Sequence, residues 1–497
     1  MPTSTAEQPC FADVVLPLPV EHPFTYEVPH SLRERVAVGM RAVVPVLNRV
    51  ETGYIIGLKS TCEREGIRPL FDLPDPTPVF SKEMLELSSW IADYYCCTLG
   101  EALQSAVPAG MRIKSKLRYT LVPEQISAGR FTDRQRKVIA ALYGQGPMTE
   151  GQLAKVAGAT ALSNTLQSLV KRGVLLVETA VGEGRVNALT ETWVQLNEAA
   201  IPAPEALADM QRKAPRQAAV YLDLLHGEPV RQMSVLCEKH GAASAAITAL
   251  EKKGLVEKMS RELFRSPDYT PDARAQLKLN LNAEQAAAYE AITGMVAASQ
   301  YGTFLLHGVT GSGKTEVYLQ AIEHTLQLGR NAILLVPEIS LTPQTVGRLF
   351  GRFQERIAVL HSGLSTGERY DEWRRAQRGE VRIVVGARSA IFAPVPDVGI
   401  IIVDEEHDGS YKQSEVPRYH ARDVAVMRAK RANAVCVLGS ATPSLESYHN
   451  SESGKFTRLE ILNRATKSPL PEVQVVDMRD ETREHGPVVL SGVLEEE

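Results

Sequence analysis

Gly308-Val309-Thr310-Gly311-Ser312-Gly313-Lys314-Thr315 spells G-x-x-x-x-G-K-T, and no other segment limits the fold of this 497-residue chain as strongly. Residues 303–307 (T-F-L-L-H) are a short apolar run, which predicts a buried strand. After the motif, residues 316–328 place Val317, Ile322, Leu326 and Leu328 at a spacing that suits a helix packed on a sheet. Strand, glycine-rich loop and helix in that order make a phosphate cradle. Glycine lets the backbone turn so that N–H groups face phosphate oxygens, and the helix N-terminus adds the positive end of its dipole. Gly308, Thr310, Gly311, Ser312 and Gly313 are expected to surround the phosphates, Lys314 to reach the β/γ-phosphates, and the Thr315 hydroxyl to ligate Mg²⁺. A chance glycine-rich turn is the alternative, and the flanking elements argue against it.

A second motif follows in the same alternating β/α stretch. Residues 398–403 (V-G-I-I-I-V) form the near-continuous apolar run of a central parallel strand covered on both faces. The run ends in Asp404-Glu405-Glu406-His407. Carboxylates at the C-terminal end of such a strand lie where open α/β sheets bind ligands. Asp404 is expected to hold the magnesium, and Glu405 to orient or deprotonate an attacking water. A solvated acidic turn is the alternative, weakened by the buried strand before it. Residues 332–336, 381–385 and 434–438 supply further strands separated by helical stretches. This is the βαβ pattern of an α/β parallel sheet.

Several strings make the likeness specific: V-P-E-I-S-L-T-P-Q (336–344), L-H-S-G-L (360–364), G-A-R-S-A-I-F-A-P (386–394), D-E-E-H-D-G-S-Y-K-Q (404–413), R-Y-H-A-R-D-V-A (418–425) and G-S-A-T-P-S-L-E-S (439–447). Together with the phosphate loop they resemble the first-lobe motifs of the PriA family, superfamily 2 DNA helicases of bacterial replication restart. The likeness is dense from about residue 279 to 448. It implies a RecA-like lobe, ATP and Mg²⁺ as cofactors, and roles for matching positions. Gln285 resembles the adenine-reading glutamine upstream of the loop, with an exposed helix residue as the alternative. Thr342, Arg388 and Ser389 sit in segments that contact the DNA backbone. Ser440, Ala441 and Thr442 resemble the segment that couples hydrolysis to domain movement, with His407 linking it to the nucleotide. Tyr411, Lys412, Arg418 and Tyr419 interleave aromatics and bases, as single-strand grips do, and resemble the family's aromatic-rich loop. An ordinary polar surface loop is the alternative there. The family's partners are forked and single-stranded DNA, single-stranded DNA-binding protein, and the primosome and helicase-loading proteins.

The front of the chain is read more coarsely. Residues 12–18, 24–28, 41–46 and 51–58 are strand-like runs split by Pro and Gly, and 87–106 reads as one helix. This resembles the family's 3′-end-binding domain, with Phe24 matching an aromatic at the terminal-nucleotide pocket. The next position, commonly Asp in the family, is Thr25. In the middle, residues 134–173 and 216–254 share one layout: helix, turn, helix, turn, helix ending in a basic pair and glycine, then a hydrophobic strand. That is a tandem winged-helix plan. Ser163, Asn164, Gln167, Lys171 and Arg172 of the first module could face duplex DNA. The second recognition helix, 242–253, is so rich in alanine that packing or protein binding suits it as well. The prolines within 199–215 suggest a linker.

The expected division is therefore a β-rich DNA-end-binding domain at 1–115, winged modules at 116–198 and 205–268, a RecA-like lobe at 269–450, and at 451–497 the start of a linker. Net charge is −4, so nucleic-acid binding must be local. None of the six cysteines forms C-x-x-C, and Cys237 with His240 is a lone, structural pair. The family's zinc is expected, but its ligands are not found here. With no signal peptide and no membrane-length apolar run, the reading is a cytoplasmic protein. After Thr442 only 55 residues remain, too few for a second lobe. The chain thus reads as the front of a longer motor, truncated or a fragment. A fork-binding platform without turnover, and another superfamily 2 translocase, are the competing readings.

Overall fold

The computed structural model describes residues 10–47, 49–108, 111, 115–126, 131–158, 162–181, 189–241, 243–263, 265, 278–341, 343–465, 473–477 and 494. Thr342 and Ala242, and most of 451–497 beyond residue 465, lie outside them.

The phosphate-loop motif sits in a seven-stranded sheet whose paired strands are all parallel. From one edge the strands are Ile357–Leu360, Ile383–Gly386, Asn331–Leu335, Val398–Val403, Val435–Ser440, Gly302–Gly308 and Thr457–Ile461. Val398–Val403 is buried along its whole length, which is why the run has no polar residue. Alternation divides its side chains between two layers. Ile401 and Val403 join Leu305 and Ile333 in one core, while Ile400 and Ile402 join Leu306 and Leu334 in the other. Helices Ala283–Ala297, Lys314–Gln327 and Pro343–Phe353 cover the second face. The strands match the expected runs to within a few residues.

The N-terminal sheet is antiparallel, in the order Phe24–Glu27, Phe11–Val15, Arg49–Lys59, Arg41–Val46. Ala12, Val14, Tyr26, Met40 and Ile55 close its own small core. The single helix expected over 87–106 is two, Lys82–Tyr94 and Leu99–Ser105. The chain breaks at Cys96, which holds φ +53°. Thr98 then starts the second helix: its hydroxyl accepts from the Glu101 amide, while Glu101 accepts from the Thr98 amide. Both helices bury their apolar faces in the first lobe core, where Leu87, Ile91 and Leu103 meet Trp373, Phe392 and Val424.

Each winged module has the expected run of three helices. Asp133–Leu142, Glu150–Ala157 and Ser163–Lys171 answer to Pro215–His226, Met233–His240 and Ser244–Lys252. The main strand partner differs from a simple helix-then-hairpin plan. Leu175–Val181 pairs with Ser115–Leu121, and Val256–Leu263 with Leu189–Leu196, so each module borrows a strand from before its first helix. The boundary expected after residue 198 therefore falls earlier, since Leu189–Leu196 belongs with the second module. The 199–215 linker is also revised, because Pro204–Lys213 is a helix. Pro204 and Pro215 stand in the first turns of helices, where a missing N–H is harmless. His240 is held by Asp223, 2.9 Å away. The second module is clamped to the lobe, with Glu262 meeting Arg374 at 2.5 Å and Arg378 at 2.6 Å.

Candidate nucleotide and DNA site

The strand order brings the loops together. Gly302–Gly308 and Val398–Val403 flank Val435–Ser440, so three strand ends deliver the phosphate loop, the acidic motif and the G-S-A-T segment to one edge. After Gly308 the chain crosses over to Asn331–Leu335, and such a switch point is where open α/β sheets bind ligands.

Within the phosphate loop, Gly311 (φ +78°) and Gly313 (φ +85°) take the left-handed backbone that glycine allows. Lys314 is buried and its Nζ donates to the Gly308 carbonyl at 2.8 Å. The Ser312 hydroxyl is buried without a hydrogen-bond partner. Thr315 is exposed on the first helical turn. A buried ammonium beside glycine amides, a helix N-terminus and an unpaired hydroxyl together fit a polyphosphate. Gln285 is neither open to a base nor exposed. It is 4% exposed, its Nε2 donates to the Ser312 carbonyl at 2.7 Å, and its Oε1 accepts from the Asn282 amide at 2.9 Å. Both ends of the amide are engaged, so Gln285 caps its own helix and braces the phosphate loop. The Ser312 carbonyl that it binds and the glycine that follows explain the tight fit: a Cβ at Gly313 would lie 2.4 Å from Gln285 Nε2.

Asp404 faces this loop. Burial, then the charge of Glu405, raises its pKa to about 6, against the opposing effect of the Lys314 ammonium. Glu405 has φ +43°, an uncommon conformation for a side chain with a Cβ and one that concentrates at functional turns. His407 Nδ1 lies 2.7 Å from Ser440 Oγ, and its Nε2 lies 3.4 Å from Thr442 Oγ1. The phosphate-loop helix reaches the same segment through Tyr318. Its buried hydroxyl faces the Asp404 carboxylate and sits where a Cβ at Gly439 would be, 1.5 Å away, so only glycine fits there.

Glu406 escaped the sequence reading. Fully buried, it accepts from the Ser444 amide (2.7 Å), Ser444 Oγ (3.0 Å), Ser447 Oγ (2.8 Å) and Arg422 (3.2 Å). Its own amide donates to the Gly439 carbonyl at 3.0 Å. Buried carboxylates persist only when so satisfied, and this one pins the acidic motif to the G-S-A-T segment and to the helix Ala421–Arg431. The serine spacing Ser444-x-x-Ser447 directly after the A-T-P turn was the available signal.

The expected aromatic grip is corrected. Tyr411 and Tyr419 are 0% and 1% exposed. Tyr411 donates to the Asp404 carbonyl at 2.7 Å, and Tyr419 packs edge-on against Phe392. Rings so enclosed cannot stack on bases; they brace the loop, whose Lys412 and Arg418 remain exposed. Arg388 holds the same loop through the Lys412 carbonyl at 2.9 Å, and with the exposed Ser389 it lines a groove of about 640 Å³. In the N-terminal sheet, Phe24 is 37% exposed. Thr25 donates to Asp13 at 2.8 Å, and Lys59 meets that carboxylate at 2.6 Å.

Residues 13–108 match the family described as the 3′DNA-binding domain (3′BD) of PriA, and residues 282–451 match the DEAD/DEAH box helicase family. The first match ends just past the two helices buried against the lobe, which places them with the N-terminal sheet. Replication restart protein PriA of Bacillus subtilis is 39% identical over 95% of this chain. The chain is thus similar to PriA proteins along 95% of its own length. PriA of Synechocystis is 34% identical over 98% of the chain. The chain spans 58% of the length of either relative. Among solved structures, RecG bound to a three-way DNA junction is matched at 22% identity and a TM-score of 0.29, over 37% of this chain and 24% of that one. Among the described residues, no helix is long and apolar enough to cross a membrane, and no three His, Cys, Asp or Glu side chains group as a metal site.

Proposed function

We propose that this chain is the DNA-end-binding and ATP-binding portion of a replication-restart helicase of the PriA kind, moving 3′ to 5′ on DNA at stalled or abandoned forks. The observation that carries this is the joining of Lys314, Asp404, His407 and Ser440 at one sheet edge, in a lobe fused to a 3′-end-binding unit. Lys314 and the amides after Gly308 hold the triphosphate; Thr315 and Asp404 hold Mg²⁺. When bound, that ion neutralises charge at the phosphate oxygens. Glu405, fixed by its strained backbone, orients the attacking water. His407 passes the state of that site to Ser440 and Thr442, and Glu406 passes it to the helix behind the Lys412 loop. Arg388, Ser389, Lys412 and Arg418 meet the DNA backbone, as does Thr342, and Phe24 meets the terminal nucleotide. The units at about 1–115, 116–188, 189–268 and 269–450 serve as end-binding domain, two winged modules and motor lobe. Partners are single-stranded DNA-binding protein, the primosome and the loader of the replicative helicase, in the cytoplasm. The test uses a fluorescent ATP analogue with Mg²⁺ and a labelled fork with a free 3′ end. Lys314→Ala is expected to weaken nucleotide binding at least about tenfold and leave fork binding unchanged. Nucleotide affinity indifferent to Lys314→Ala would sink this reading.

A further inference from the structure

The phosphate-loop helix carries a polar group that the nucleotide reading leaves unused, the hydroxyl of Tyr318. Tyr318 follows Thr315 by three positions, so the two lie on one face of helix Lys314–Gln327. Helical side chains lean toward the N-terminus of their helix, which aims this ring back toward the phosphate loop. The residue is 2% exposed and belongs to the core layer between the helix and the sheet. Packing explains the ring. It does not explain the oxygen, since an apolar layer has no use for a buried hydroxyl.

The strands show what the hydroxyl meets. Val435 and Val437 point into the layer beneath this helix, and alternation gives Gly439 the same direction. Ile400 and Ile402 point the same way from the neighbouring strand, and Asp404 comes next in that series. The two strands run in parallel register, with Val403 beside Leu438, so Asp404 and Gly439 stand together at the sheet edge. The Tyr318 hydroxyl occupies the place that a Cβ at Gly439 would take, and it faces the Asp404 carboxylate. The missing side chain at Gly439 is what opens this slot. The backbone of Asp404 is pinned separately. Its carbonyl accepts from the Tyr411 hydroxyl at 2.7 Å, and its amide donates to the Leu335 carbonyl at 2.9 Å. Those bonds fix where the carboxyl group starts but not how it is turned.

We infer that Tyr318 is a positioning residue for the magnesium site: its hydroxyl donates to the Asp404 carboxylate and holds it beside the phosphate loop, so that Asp404 and Thr315 take the ion together. Groups that orient a metal-binding carboxylate commonly matter tenfold or more in metal affinity. The same hydroxyl abuts Gly439, which leads into the G-S-A-T segment, so the magnesium site and that segment share one contact. This rests on the proposed nucleotide-binding role of the lobe.

Binding of a fluorescent, non-hydrolysable ATP analogue to the full chain, titrated with Mg²⁺ from an EDTA baseline, tests it without reference to turnover. Tyr318→Phe keeps the ring and removes only the hydroxyl. It is expected to raise the Mg²⁺ concentration for half-maximal binding about tenfold. Asp404→Asn should raise it too. Tyr318→Phe added to Asp404→Asn should then change it no further, because the hydroxyl acts through that carboxylate. Thermal melting in EDTA checks that each variant is folded. A Tyr318→Phe protein with the Mg²⁺ requirement of the parent overturns the inference and leaves the proposed function standing. Additive shifts in the double variant overturn it as well, since the hydroxyl would then act elsewhere. If the parent binds the analogue with no response to Mg²⁺, or does not bind it, the nucleotide-site reading itself fails.

Discussion

At the scale of single residues, the nucleotide site shows how far side-chain type predicts role. Lys314, Thr315, Asp404 and Glu405 could be proposed from the sequence because a phosphate cradle would need those chemistries at those spacings and the flanking strands are unmistakably apolar. Glu406, Tyr411, Tyr419 and Gln285 were not. Each is a polar or amphipathic residue inside a motif, and only the packing around it decides whether it faces ligand or protein. Asp404 offers the pH test. Its folded pKa, about 6, lies above the ordinary carboxylate value, so the protonated form is the one that the fold favours. The resulting stability is fully present below about pH 4 and is lost as pH rises through about 6. In metal- and nucleotide-free buffer, the parent is expected to lose about 1–3 kcal/mol at this site across that window. Asp404→Asn should remove that loss and melt higher at pH 7. Equal pH slopes for the two proteins in thermal denaturation would contradict this.

Among elements, the break in the N-terminal helical stretch is instructive. The apolar periodicity over 87–106 suggested one helix because the pattern resumes after the interruption in the same sense. Thr98-x-x-Glu101 was in view as a start signal, but nothing in Tyr-Cys-Cys-Thr announces a stop. Cys96 occupies the left-handed position where glycine normally ends a helix. Cys96→Gly is therefore expected to stabilise the chain by about 0.5–1 kcal/mol, since the strain removed exceeds the entropy added to the unfolded state. Thr98→Ala should destabilise it by about 1–2 kcal/mol through loss of the cap. Urea denaturation measures both, and like signs for the two would refute the assignment. The same logic explains the 199–215 stretch. Three prolines look like a linker until two of them turn out to begin helices, where proline's fixed φ and missing N–H fit.

For the whole molecule, the decisive feature is the shared core. Leu87 and Ile91 of the N-terminal unit are buried with Ile401, Val403 and Val424 of the lobe, and Arg428 of the lobe meets Glu83 at 3.5 Å. The N-terminal unit and the parallel-sheet lobe are thus joined by packing as well as by chain. Ile91→Ala is expected to cost about 2–4 kcal/mol, and hydrogen exchange should show lost protection in strand Val398–Val403 as well as in the helix around residue 91. Loss confined to the N-terminal unit would show the two to be independent. The second winged module is held differently, by ion pairs from Glu262 to Arg374 and Arg378, with the partly exposed Arg378 pair open to screening by salt.

The amino-acid order alone determined what is local or periodic: the phosphate loop between strand and helix, the acidic strand end, the doubled helical module, and the likeness to a helicase family. Backbone conformation and ligand chemistry impose those patterns on neighbouring residues, so they survive in one dimension. Tertiary structure decided what depends on distant partners. It chose which strand completes each winged module, tied Glu406 to residues 422, 444 and 447, and enclosed Tyr411 and Tyr419. Burial and pairing are properties of what surrounds a side chain, and those surroundings come from segments as far apart as residues 95 and 423.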